Sequence, residues 1–191
     1  MREDDTMMVP ESNNEKHIII QGQSNRYLMK KLKKEVQIVK KRVVTNNWNI
    51  PNELMSLDKQ CYIVSSLLNK NGFDINCDKI IQKELTVKLS GYKQQDIDSN
   101  KYNSDSFISF DSLIKKLDDS YMLCYYCKGK MYLLYENVRE KMQWTLDRMD
   151  NNTGHNESNV VIACLECNLK RRRTNKDAFL FTKQMVLVKS E

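Results

Sequence analysis

Two pairs of cysteines constrain this chain more than any other feature of its sequence. Cys124 and Cys127 form one CxxC pair, Cys164 and Cys167 form the second, and 36 residues separate the two pairs. Thiolates separated by two residues chelate one ion from a tight turn, and two such turns complete a tetrahedral shell. The spacing therefore predicts a structural Zn²⁺ site that supplies stability which a small C-terminal module lacks in its hydrophobic core.

The cysteine prediction depends on the compartment in which the protein works. The acidic residues that follow Arg2 precede no hydrophobic region, so the N-terminus does not have the pattern of a secretory signal. No stretch of the sequence reaches the ~20 apolar residues of a membrane span. We therefore expect an intracellular protein, in the cytoplasm or nucleus of a host cell, with no membrane partner. In such a reducing compartment paired cysteines bind metal rather than form disulfides.

Positive charge is concentrated in two segments. Residues 26–42 carry eight Lys or Arg residues against Glu35 alone, and residues 170–176 carry no acidic residue. Clustered positive charge near a metal site favours a polyanionic partner, and we expect nucleic acid, with DNA as the leading form. For residues 26–42 a solvated helix face is an equal alternative.

Apolar spacing divides the chain into a helical N-terminal region and a mixed C-terminal module, which makes the expected fold class α+β. We expect a disordered tail over residues 1–23, a helical basic region with a linker over 24–106, and the zinc-binding module over 107–191. The predicted helices cover about 24–45, 51–70 and 77–90 in the helical region and 111–119 at the start of the module, and the polar residues 94–106 are the predicted linker.

The hydrophobic period changes after the first CxxC pair. Residues 131–135 and 143–146 are rich in aromatic and β-branched residues and predict two strands. A loop is predicted over 151–158, followed by one helix from Leu165 and another over 176–185. The last helix is predicted to bury Phe179, Leu180 and Met185. The order is a ββα unit bracketed by the two cysteine pairs.

The stretch between the cysteine pairs resembles the HNH (His-Me finger, ββα-metal) endonuclease family. Asp147-Arg148 stands where that family has an Asp-His pair, Asn159 resembles its central Asn, and Asn168 stands at its helix position. The Asn directly after the second CxxC pair is similar to that of endonuclease VII, a phage-type Holliday-junction resolvase, and the string looks like HNH-like proteins of large DNA viruses and phages. The resemblance covers residues 121–175 and implies a treble-clef-like ββα-metal module.

This resemblance implies a metal-dependent endonuclease that hydrolyses the phosphodiester bonds of nucleic acid. Asp147 and Asn168 would hold one Mg²⁺ or Mn²⁺ at the scissile phosphate, since hard cations prefer carboxylate and amide oxygens. Asn159 would tie down the loop and help to orient the general base. The basic residues implied to hold flanking phosphates are Arg148, Lys170, Arg171, Arg172 and Arg173.

Arg148 is the one departure from the family pattern, because a guanidinium does not lose its proton at a usable pH. The chain has two histidines, and His155 lies in the predicted loop, eight residues after Asp147 and four before Asn159. We therefore predict that His155 is the general base that activates water. The alternative is that His155 is an exposed loop residue and that no side chain acts as a dedicated base.

Two other functions stay open at this point. A catalytically inactive, zinc-stapled DNA-binding module would keep the cysteines and the basic segments, and it would explain Arg148 without a role for His155. A structural or transcription-associated zinc protein that acts through protein contacts would show binding that survives high salt. The sequence also leaves the oligomeric state open, and the N-terminal helices could form a dimer.

Overall fold

A computed structural model describes residues 39–72 and 75–185, apart from the side chain of Ile75. The predicted tail and most of the predicted basic helix lie outside these residues. The described residues form the expected α+β fold, with five α-helices and one two-stranded sheet. The helices are α1 (Leu57–Leu68), α2 (Ile75–Asp98), α3 (Phe110–Asp119), α4 (Leu165–Arg171) and α5 (Lys176–Gln184), and the strands are β1 (Trp144–Arg148) and β2 (Val160–Cys164). Short 3₁₀ helices cover Val43–Asn47, Asn52–Met55 and Glu157–Asn159.

The sheet pairs β1 with β2 in antiparallel register. Trp144 lies opposite Cys164 and Arg148 lies opposite Val160. The loop between the strands covers residues 149–159, and α4 begins directly after β2. The unit is therefore strand, loop, strand, helix, with the second cysteine pair at the junction of β2 and α4.

The strand predicted over residues 131–135 is wrong, and a buried glutamine of α1 explains why. The Oε1 atom of Gln60 accepts hydrogen bonds from the backbone N–H groups of Leu133 and Leu134, at 3.0 and 2.9 Å. Its Nε2 atom donates to the carbonyl oxygen of Leu54. Because a side chain from α1 satisfies these backbone donors, the segment needs no neighbouring strand, and only an isolated bridge joins Tyr132 to Gln143.

Helix α2 is longer than the sequence predicts, since it continues past Gly91 to Asp98. Its buried residues follow one stripe with a spacing of three or four: Cys77, Ile81, Leu85, Tyr92 and Asp96, with the half-buried Lys88 between. The stripe is apolar at the start of the helix and polar at its end. The contacts of Tyr92 and Asp96 with the C-terminal module hold the last turns of the helix, which we predicted to be part of a linker.

The predicted basic helix over residues 24–45 does not reach its predicted end in the described part of the chain. Lys41 forms an isolated bridge with Asn137, and residues 43–47 are a 3₁₀ helix. Val39 and Val43, which lie within that predicted helix, are 64% and 77% exposed. Residues 39–47 are held instead through Arg42, whose guanidinium pairs with Glu84 of α2 at 2.7 Å.

The core joins the N-terminal helices to the C-terminal module that carries the four clustered cysteines. Helix α1 packs on α3, and α3 packs on β2. The described residues from Val39 onward belong to one compact unit, so the boundary predicted at residue 106 falls inside it. In α5, Phe179 is buried against the ring of Tyr126 as predicted, but Met185 is 48% exposed because it follows the end of the helix. Among the described helices, none has the length and apolarity needed to cross a membrane.

Candidate functional site

The four cysteines of the CxxC pairs meet in one cluster. Their Sγ atoms all lie within 4.8 Å of one another, and three of the four residues are buried. The Sγ atoms of Cys127 and Cys164 are 3.9 Å apart. A tetrahedral ion with Zn–S bonds of about 2.3 Å requires sulfur atoms roughly 3.8 Å apart. The cluster can therefore hold a metal ion such as Zn²⁺.

The chemistry of the thiols also favours a bound cation. A hydrogen bond from the Cys164 thiol lowers the pKa of Cys124 to about 5, while the same interaction raises the pKa of Cys164. Burial raises the pKa of Cys167 to about 12. One thiolate is thus stabilised and further thiolates are opposed, so four thiolates at this site need a metal ion to offset their charge.

Backbone N–H groups support the sulfur atoms of the cluster. The N–H of Cys164 donates to the Sγ of Cys124 at 3.2 Å, and the N–H of Cys167 donates to the Sγ of Cys164 at 3.4 Å. The second of these bonds caps the N-terminus of α4. Helix α4 therefore begins at the cysteine cluster, and it carries Asn168 and Arg171 on its following turn.

A cleft of about 720 Å³ lies beside the cluster and contains most of the predicted site residues. Its lining includes Asp147, Arg148, His155 and Asn168. Among the lining side chains there are five cations (Lys101, Arg148, Arg171, Arg172 and Arg173) and two carboxylates (Asp147 and Asp150). A cleft with this excess of positive charge suits an anionic ligand.

Asp147 is buried and already paired. Its Oδ2 accepts from Nε of Arg171 at 2.6 Å and from the hydroxyl of Tyr126 at 2.5 Å, while its Oδ1 accepts from Nη2 of Arg171 at 2.8 Å. Arg171 also donates to the carbonyl oxygens of Arg148 and Thr174. We predicted that Arg171 holds a flanking phosphate. Its guanidinium is instead buried and pairs with Asp147.

Asn168 lies on the same side of the sheet as this ion pair. Its Nδ2 donates to the hydroxyl of Thr145 at 3.1 Å and to the carbonyl oxygen of Leu146 at 3.3 Å. These bonds orient the amide so that its Oδ1 is left for another ligand. Asp147 Oδ1 accepts one hydrogen bond and keeps a second lone pair. The two oxygens are of the type that Mg²⁺ or Mn²⁺ binds, although the guanidinium of Arg171 competes for one of them.

Asn159 holds the loop between the strands closed. Its Nδ2 donates to the carbonyl oxygens of Asp150 and Gly154, and its Oδ1 accepts from the backbone N–H of Asp150, all at 2.9 Å. Since these bonds join both ends of the loop segment that precedes His155, Asn159 fixes the position of the imidazole without contacting it.

His155 is buried rather than exposed, and a carboxylate from α2 holds it. Its Nδ1 lies 2.8 Å from Oδ1 of Asp96, and its backbone N–H donates to Oδ2 of Asp96 at 2.5 Å. The ring of Tyr92 packs on the imidazole with centroids 4.7 Å apart. Burial lowers the pKa of His155, which favours the neutral form of the ring.

The remaining predicted phosphate contacts differ in their surroundings. Arg172 and Arg173 are exposed and line the cleft. Lys170 is exposed but lies outside the cleft lining and pairs with Glu166 at 2.7 Å. Arg148 is half-buried, and its guanidinium lies 3.7 Å from Asp96. Arg148, Arg172 and Arg173 thus border the cleft with exposed or half-buried side chains, while Lys170 does not border it.

Sequence reasoning missed three residues of the site: Asp96, Lys101 and Tyr126. Asp96 and Lys101 fall in the segment predicted as a linker, and Tyr126 lies inside the first CxxC pair, where the cysteines dominate the pattern. Comparisons of the chain with protein-family models, with curated proteins and with solved structures gave no match. The function proposed below rests on the geometry of the cleft and on the resemblance of residues 121–175.

Proposed function

We propose that this chain is an HNH-type endonuclease that hydrolyses phosphodiester bonds of nucleic acid, with DNA as the expected substrate. The observation that carries the proposal is the shared cleft, where a carboxylate-held histidine lies with Asp147, Asn168 and an excess of cationic side chains. One structural Zn²⁺ in the cysteine cluster would fix β2 and α4, and hence Asn168, in place.

The cationic lining supports binding of the phosphate backbone. Arg172 and Arg173 are exposed at the end of α4, and Lys101 lies on the wall formed by the residues after α2. Guanidinium groups bind phosphate oxygens through paired N–H donors, whereas a lysine contributes a point charge. Binding of this kind is independent of sequence and weakens steeply with salt.

His155 supports the chemical step. A carboxylate accepts hydrogen bonds only, so the proton on the imidazole lies on Nδ1, which donates to Asp96. The Nε2 atom then carries the free lone pair and accepts a proton from water. The resulting hydroxide attacks phosphorus, a new P–O bond forms, and the P–O3′ bond breaks on the opposite side.

Asp147 and Asn168 are the residues that would hold a Mg²⁺ or Mn²⁺ ion, which when bound supplies positive charge to the scissile phosphate and the departing oxygen. Arg148 lies beside them in the position where the HNH family has its base. Its guanidinium cannot accept a proton, so its role in the proposal is to bind a phosphate oxygen.

A second candidate function is a nucleic-acid-binding module of the same fold that does not cut. The bidentate pair of Arg171 with Asp147 favours it, because a buried guanidinium already neutralises the carboxylate that the resemblance assigns to metal. This module would use the same cationic cleft and the same zinc cluster. Only hydrolysis, and its dependence on His155 and Asn168, separates the two functions.

The test is cleavage of supercoiled plasmid by the zinc-loaded protein in Mg²⁺ and in Mn²⁺. We expect nicking by the wild type and a loss of about 10²–10⁴-fold in His155→Gln and in Asn168→Ala. His17→Gln, which changes the chain's other histidine, is the matched control and should cut as the wild type does. An intact plasmid with both ions, together with retained DNA binding, would establish the non-cutting module instead.

A further inference from the structure

The residue that controls His155 lies outside the segment that resembles HNH endonucleases. Asp96 is the last buried residue on the stripe of α2, and it is fully buried. Both of its oxygens serve His155: Oδ1 faces the ring nitrogen Nδ1 at 2.8 Å, and Oδ2 accepts the backbone N–H at 2.5 Å. One carboxylate therefore fixes the backbone and the ring of the same residue.

The close approach of α2 to this loop depends on Gly154. A Cβ atom at this position would lie 2.5 Å from the carbonyl oxygen of Lys101 and 2.8 Å from Oδ2 of Asp96. The first contact is with backbone and cannot be relieved by rotating a side chain. Only a glycine lets the carboxylate reach His155, so the sequence Gly154-His155 is matched to Asp96.

The other groups around the imidazole make contacts other than a hydrogen bond to its ring. From α2, Tyr92 packs its ring against His155, while its hydroxyl accepts a hydrogen bond from the backbone N–H of Leu146. From β1, Arg148 lies 3.7 Å from Asp96, and Asp147 is paired with Arg171. Asp96 is the carboxylate that contacts the ring.

We propose that Asp96 is the positioning residue of the active site, which holds His155 in the Nδ1–H tautomer and leaves Nε2 as the base in the cleft. This inference rests on the proposed hydrolysis for its consequence, but the tautomer itself can be measured without activity. It also extends the catalytic unit to α2, beyond the stretch from residue 121 to 175 that resembles the family.

Asp96→Asn gives a sharp test because the two side chains have the same shape. In this variant the amide oxygen can still accept from the backbone N–H of His155, which places the amide nitrogen, a donor, against Nδ1. A donor there requires Nδ1 to be unprotonated, so the proton moves to Nε2 and the base is lost. Asp98→Asn, on the exposed final turn of α2, is the matched control.

The experiment is ¹⁵N NMR of the imidazole nitrogens in zinc-loaded protein, with His17→Gln used to assign the signals. We expect the protonated, pyrrole-like shift on Nδ1 in the wild type and in Asp98→Asn, and on Nε2 in Asp96→Asn. Plasmid cleavage by Asp96→Asn should fall by roughly 10²–10⁴-fold across the whole pH profile.

A wild type with its proton on Nε2 would overturn the inference, and this result does not depend on whether any variant folds. An Asp96→Asn protein that keeps the Nδ1–H tautomer, or that cuts at the wild-type rate, would also overturn it. If the wild type shows the Nδ1–H tautomer and Asp96→Asn switches it, the positioning by Asp96 stands. Absence of cleavage by that same wild type would then count against the proposed function alone.

Discussion

The cysteine cluster and the cleft use opposite electrostatic designs, although α4 contributes to both. The cluster gathers four thiols, and the pKa values of Cys164 and Cys167 are raised. In the cleft each buried carboxylate already has basic partners: Asp147 has Arg171, and Asp96 has His155 with Arg148 nearby.

The difference separates a site that suits a cation from a site that suits an anion. A bound cation would offset the negative charge of thiolates in the cluster. In the cleft, the charge of the buried Asp147 is balanced by Arg171. Arg172, Arg173 and Lys101 add positive charge to its lining. The same short helix therefore joins a cysteine cluster that can hold a metal ion to a surface whose charge suits an anion.

Removal of a cluster ligand should have the largest effect. We expect wild-type protein to contain one Zn²⁺ per chain, and Cys164→Ser to lose both the metal and the cooperative unfolding transition. Structural zinc contributes about 10–16 kcal/mol of apparent binding free energy, which exceeds the stability of most small domains. Metal analysis and thermal melting measure this. Cys61→Ser, outside the cluster, is the control, and identical melting of the two variants would exclude a structural metal.

Breaking the buried ion pair of the cleft should have the next largest effect. Asp147→Asn leaves the guanidinium of Arg171 buried without its counter-charge, which destabilises a protein by about 3–5 kcal/mol. The exposed pair of Glu166 and Lys170 lies on α4, the helix that carries Arg171. Glu166→Gln should cause no measurable change in the free energy of unfolding. Urea unfolding compares the two. Equal stability of both variants would show that the ion pair of Asp147 and Arg171 does not stabilise the folded chain.

A pH-dependent effect, smaller over a single pH unit, is expected at Lys88, the basic residue in the middle of the buried stripe of α2. Its ammonium contacts the carbonyl oxygen of Trp144 and the Oε1 of Gln143, and burial lowers its pKa from 10.5 to about 7. Between pH 7 and about 10 the unfolded chain binds a proton here that the folded chain does not. Stability should therefore rise with pH in this window, by up to about 1.4 kcal/mol per pH unit.

Lys88→Met should remove this dependence, and urea unfolding at several pH values measures the difference between variant and wild type. Lys83→Met, on the exposed face of the same helix, is the control that should keep the wild-type slope. Parallel profiles for the wild type and Lys88→Met would show that Lys88 stays protonated in the folded chain throughout the window.

The sequence predicts the cluster better than the cleft because of where the partners lie. The CxxC spacing is local, so the four cysteines of the cluster could be named without a fold. The strand partner of β1 could not, since the segment predicted for that role is held by Gln60, more than 70 residues away. Lys88, Tyr92 and Asp96 break the apolar pattern of α2 and are typical of an exposed helix end. Only the packing of α2 against the module shows that they face inward.

The loop and the base illustrate the same limit. The resemblance to the HNH family implied that Asn159 ties down the loop, and the partners of Asn159 lie within nine residues of it. His155 could be named from its place in the loop, but its carboxylate partner could not, since 59 residues separate the two.

The measurement that tests the central claim most directly is the affinity of zinc-loaded protein for a labelled DNA duplex over a range of salt. The claim predicts that Arg172→Glu with Arg173→Glu weakens binding by about 10²-fold or more and lowers the salt slope by about 2. Lys79→Glu with Lys83→Glu makes the same change in net charge on exposed residues of α2 outside the cleft, and it should have little effect. Equal affinities for the two double variants would contradict the assignment of the cleft as the nucleic-acid site.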